Sequence, residues 1–95
     1  MPYIDDDLRK GVDEEIVTLA ETIEGACHNV STRDGVLNYT ICRLITLLYK
    51  DESYFNYNRA MGVLECAKFE LYRRRIARYE DIKIAGNGDL PGWSP

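Results

Sequence analysis

The side chains best able to do chemistry in this 95-residue chain fall into four groups. Glu21 and Glu24 stand three residues apart, so two carboxylates share one helix face, as in a magnesium site for nucleotide hydrolysis. Such a site needs a second acidic pair, Glu-x-x-Asp, on a neighbouring helix, and the sequence contains none. Cys27-His28, Cys42 and Cys66 offer zinc-type donors, but no two of them have the close spacing that makes a zinc site readable. His28 is the only histidine, with no nucleophile or orienting acid named beside it. No catalytic residue, metal ligand or cofactor is therefore expected, and the chain reads as non-enzymatic; a hydrolase using Glu21 and Glu24 is the remotest alternative.

The third group is the run Arg73-Arg74-Arg75 with Arg78. Arginines there can grip phosphates while Tyr72 and Tyr79 offer stacking faces, which makes Arg73, Arg74 and Arg78 the contacts of an alternative, nucleic-acid-binding reading. On a regular helix Arg75 points away from Arg73 and Arg74, and Glu70, Glu80 and Asp81 neutralise part of the run, with Glu70 and Arg74 spaced as an i,i+4 pair. The bland reading is a salt-bridged helix face. The fourth group is Glu65 and Lys68, charges set inside an apolar arc, which with Tyr72 and Arg75 are expected to form a buried polar cluster fixing helix register.

The elements that must position these groups are helices. All three prolines lie at the ends, at positions 2, 91 and 95. A first pattern, about Val12 to Ala26, carries Val12, Ile16, Leu19, Ile23 and Ala26 on one face, with Asp13, Glu14 and Glu15 in its opening turn. Gly25 and the polar run His28 to Asp34 read as its exit. A second, about Val36 to Lys50, carries Leu37, Ile41, Leu44 and Leu48 behind Asp34 as cap. A third, about Tyr54 to Lys83 behind Ser53, is about 45 Å long at 1.5 Å per residue. Its apolar residues fall in two adjoining sectors: Tyr57, Ala60, Leu64, Ala67 and Leu71, then Met61, Phe69, Tyr72, Ile76 and Tyr79. Gly62 in its interior suggests a close helix crossing, and Gly86 a left-handed cap.

The predicted fold is all-α: a three-helix up-down bundle with a long third helix, one domain over residues 1–85 and an irregular tail over 86–95. Two shorter helices cover only part of the third, leaving Tyr72, Arg75, Ile76, Tyr79 and Ile82 as the expected interface of a homodimer. An unidentified protein is the expected further partner. The formal charge of −4 argues against general nucleic-acid affinity. It is unevenly spread: residues 1–30 carry eight acids against two bases, and residues 31–95 ten bases against eight acids. With no basic, apolar leader, no bilayer-length apolar run and three scattered cysteines read as reduced, partly buried thiols, a cytoplasmic location and no membrane contact are expected.

The stretch from Tyr57 to Arg74, its continuation Tyr79-Glu80-Asp81-Ile82-Lys83 and Asn87-Gly88-Asp89 resemble a family of short uncharacterised proteins of tailed phages, bacteria and metagenomes; Leu37-Asn38-Tyr39 and Arg43-Leu44 resemble its upstream part. The resemblance implies a bacterial or mobile-element origin and brings no activity, cofactor or site residue. The chain departs from the family at Leu90-Pro91-Gly92-Trp93, which runs past its usual end.

Overall fold

With no proline between positions 3 and 90, the backbone is free to satisfy itself by helical hydrogen bonds, and in the computed structural model, which describes residues 2–93, it does so nearly throughout. Helix α1 spans Asp6–Ala26, α2 Val30–Leu48 and α3 Tyr54–Leu71; a π-helical turn, Tyr72–Ile76, then leads into α4, Ala77–Asn87. No strand occurs among the described residues.

Both N-terminal boundaries differ from expectation because short polar side chains cap earlier than the apolar periodicity begins. The Asp5 carboxylate accepts from the Leu8 amide at 3.0 Å, so α1 opens on Asp6 and Asp7 rather than on Asp13 to Glu15. The Asn29 side chain accepts from the Thr32 amide at 2.8 Å, which makes the expected exit loop the cap and first turn of α2. A side-chain oxygen there satisfies an amide that has no partner within the helix. Ser53 caps α3 as predicted, its hydroxyl accepting from the Asn56 amide at 3.1 Å.

Residues 2–60 and 61–93 form separate structural parts, described here in turn. In the first, α1 and α2 touch around their junction, where Ile23, Cys27, Val36 and Thr40 are half-buried. A second corner joins α2 to the start of α3: the Asn56 side chain donates through Nδ2 to the Asp51 carbonyl at 3.0 Å, and Ile45, Tyr49 and Ser53 are half-buried. Ala60, 4% exposed, is the only buried residue among those described. The apolar stripe of α1 stays open from Leu8 through Val12 and Ile16 to Leu19.

In the second part no described residue is buried. The Ala77 amide donates to the Tyr72 carbonyl five residues back, the bond that defines a π turn. Such a turn takes up one residue more than an α turn, so everything after it lags by about 100°. Ile76 and Tyr79 would stand one sector round from Leu64, Ala67 and Leu71 on an unbroken helix; the π turn swings them into line. The two sectors read from the sequence are, beyond Leu71, one stripe in two registers. Met61 and Phe69, which precede the turn, stay outside it.

The helix ends one residue later than its first glycine allows: Gly86 is helical, and Gly88, at φ +91°, takes the left-handed conformation and donates to the Ile84 carbonyl at 2.8 Å. Beyond it the Trp93 amide closes a turn on Leu90 at 3.1 Å. Ser94 and Pro95, the end of the expected tail, lie outside the described residues. No helix among the described residues is long and apolar enough to cross a membrane.

Gly62 does not mark a close crossing. A Cβ built there meets nothing within 4 Å, and two residues before Leu64 it stands on the far side of the helix from the stripe. Gly62→Ala is therefore expected to stabilise the helix by about 1 kcal/mol, seen as a higher urea midpoint; a lower one means a neighbour fills that space.

Candidate interaction surface

The basic run is organised around the π turn. Arg73, Arg74, Arg75 and Arg78 line one shallow, open concavity together with Tyr79 and Ile82. Arg75 thus shares a surface with Arg73 and Arg74 instead of facing away. Arg73 grips the half-buried Glu70 with both ends of its guanidinium, at 2.9 Å and 3.0 Å from Nη2 and 3.2 Å from Nε. Glu70 thus meets a cation three residues on, at Arg73. No acid among the described residues forms an ion pair with Arg75 or Arg78.

The expected buried cluster of Glu65, Lys68, Tyr72 and Arg75 is not enclosed. Glu65 and Lys68 do meet, at 3.4 Å, but on an exposed face with the ammonium 5.4 Å from the Phe69 ring; a pair so wet contributes little stability. Arg75 belongs to the concavity. Tyr72 is instead influenced by Glu80: hydrogen bonding to that carboxylate and its charge, with a little desolvation and the Asp81 charge, raise the phenol pKa above the ordinary 10.0. All four side chains are exposed, so water can satisfy each of them and nothing forces them to satisfy one another.

The sign of that shift gives a test. A phenol with a raised pKa keeps its hydrogen bond below the ordinary tyrosine value and loses it as pH climbs through the raised one. Subtracting the ultraviolet tyrosinate titration of Tyr72→Phe from that of the wild type should leave a component above about pH 10, which Glu80→Gln moves down. A component at the ordinary value means the staple does not form.

At the end of α4, Trp93 lines a concavity with Lys83, Ile84 and Leu90 while remaining 74% exposed. Lys83 lies 5.4 Å over the Tyr79 ring. In residues 2–60 the notable feature is one the sequence did not announce: Arg59 stands 5.8 Å from the Tyr49 ring and 5.3 Å from that of Phe55, a cation held between two aromatics at the α2–α3 corner. The only sequence signal is aromatic residues on both sides of the Asp51-Glu52-Ser53 break. Tyr57 has its phenol pKa raised by desolvation and by its hydrogen bond and charge interaction with Glu52.

Glu24, Cys27, His28 and Arg33 ring a small concavity at the α1–α2 junction. Among the described residues no three His, Cys, Asp or Glu side chains converge as a metal site would need, around Glu21 and Glu24 or elsewhere. The thiols are free; Cys27 is half-buried, whereas Cys42 and Cys66 are exposed, a correction to their reading as partly buried.

A family described as "Domain of unknown function (DUF6899)" matches over residues 1–90, a wider span than the stretches within 37–89 that carry the resemblance, and it stops at the head of Leu90-Pro91-Gly92-Trp93. No curated protein and no solved structure matches the chain.

Proposed function

Because the chain belongs to this family, which assigns no activity, we propose a function from its surface: it is a non-enzymatic helical module that completes its core by self-association and then presents a composite surface to another macromolecule, a protein. The observation that supports this is the near absence of a core. Among the described residues only Ala60 is buried, while Leu8, Val12, Ile16 and Leu19 on one helix and Leu71, Ile76, Tyr79 and Ile82 on another are exposed, and contiguous apolar surface of that kind marks an interaction site.

In this reading the stripe continued by Ile76, Tyr79 and Ile82 is the self-association surface, residues 1–85 act as one domain once assembled, and the up-down bundle is completed between copies. A bacterial or phage origin and a cytoplasmic setting belong to the same reading. Absolute mass from light scattering on a sizing column, over a range of concentrations, is the test. A species near twice 10.9 kDa is expected; a monomer at every concentration overturns the proposal.

One observation favours a second reading: the grouping of Arg73, Arg74, Arg75 and Arg78 beside Tyr79 around one concavity. A single-stranded oligonucleotide bound there would dissociate steeply with salt. No binding at low salt removes this alternative.

A further inference from the structure

Two apolar stripes lie open on this chain, and their edges carry opposite charge. The first is on α1: Leu8, Val12, Ile16 and Leu19 are all exposed, with Asp13 along one edge and Glu15 along the other, each one position from Ile16 or Val12 on the helical net. The helix carries seven acids and two bases between Asp6 and Ala26. Both bases are engaged locally, Lys10 with Asp6 at 3.1 Å and Arg9 with the Ile4 carbonyl at 2.9 Å. Asp13, Glu14 and Glu15 form no ion pair among the described residues.

The second stripe is the one that the π turn aligns. Leu71, Ile76, Tyr79 and Ile82 are exposed, and Arg75, Arg78 and Lys83 run beside them. Among the described residues only Lys83 of these cations has a partner, the Tyr79 ring. An apolar strip edged with acids fits one edged with bases, as flanking charges select partner and orientation in paired helices.

We infer that α1 of a second copy covers the stripe of Leu71, Ile76, Tyr79 and Ile82, with Asp13 and Glu15 meeting Arg75 and Arg78, and that the exchange is reciprocal. A two-fold axis then makes the contact twice, as a self-complementary dimer requires. This rests on the self-association proposed above and names the surfaces that carry it. The polarised charge of the chain acquires a purpose: each half repels its own kind and selects the other.

Charge exchange tests it in the full chain. Reversing the acidic edge (Asp13→Lys with Glu15→Lys) sets like charges together at both contacts, as does reversing the basic edge (Arg75→Glu with Arg78→Glu). Each variant alone should fall from the dimer mass to 10.9 kDa. An equimolar mixture of the two should regain the dimer, because every contact then pairs opposite edges; so should one chain carrying all four changes. The rescue keeps the test valid should either variant unfold alone. If the four-fold variant recovers and the mixture does not, the edges pair within one chain and the inference fails. If the wild type is a dimer but both reversals leave its mass unchanged, the inference fails while self-association stands. If the acidic reversal is silent and the basic one abolishes binding of a single-stranded oligonucleotide, the arginines form a nucleic-acid surface instead, and the inference fails.

Discussion

The Ile76→Asp/Tyr79→Asp double variant is expected to be a monomer at concentrations where the wild type is a dimer. Both residues are exposed in the single chain, so the substitutions cost little there beyond helix propensity. Across an interface each forfeits the burial of a large apolar side chain, about 2 kcal/mol apiece, and adds a carboxylate to be desolvated. Because a two-fold dimer contains each residue twice, the loss is about 8 kcal/mol per dimer, about a millionfold rise in dissociation constant. Light scattering reads the mass, and circular dichroism reads the helix lost with it. Cys66→Asp is the control: two residues beyond Leu64, it stands opposite the stripe and should leave the mass unchanged. A folded double variant of unchanged mass would place the interface elsewhere.

Thermal stability is expected to depend on protein concentration. With Ala60 the only buried residue among those described, a single chain has little to set against the conformational entropy of about 1–2 kcal/mol per residue that folding removes. Folding and association then become one equilibrium. For a dimer of this size the unfolding entropy, at about 2.1 cal/mol/K per residue, implies a midpoint rising about 3–4 °C for each tenfold increase in concentration. Melting curves followed by circular dichroism over two decades of concentration measure this directly. A midpoint that does not move would mean that the chain folds alone and that its apolar faces close on themselves.

Helical content was legible because it is local: periodic apolar residues, capping side chains and the absence of proline act within a few residues of one another. The boundaries were less so. Asp5 and Asn29 cap segments whose first turns are polar, so the apolar pattern starts a turn or more after the helix does. The candidate surface was harder still. An unbroken α-helix gives Arg75 a direction away from Arg73 and Arg74 and sets it in one cluster with Glu65, Lys68 and Tyr72. The π turn invalidates that assumption between Tyr72 and Ile76. Its trace was nonetheless in the sequence: Ile76, Tyr79 and Ile82 follow the Leu64, Ala67 and Leu71 stripe one residue out of register. The Arg59 clamp between Tyr49 and Phe55 joins residues across a chain reversal, which helical periodicity does not encode.

The extra residue in the turn makes the arginine run a matter of arithmetic as well as charge. Remove any one of Arg73, Arg74 and Arg75 and the segment can close as ordinary α-helix, with the downstream residues keeping the phase that they now have. Substitute one instead and the count is preserved but a cation is lost. Insertions and deletions in this stretch therefore separate two roles that point changes confound: the spacing that carries Tyr79 round to Leu71, and the charge that lies beside it. A helix can in this way hold a mismatch of one residue between its two halves as a phase slip, without a loop, a glycine or a proline to mark the place.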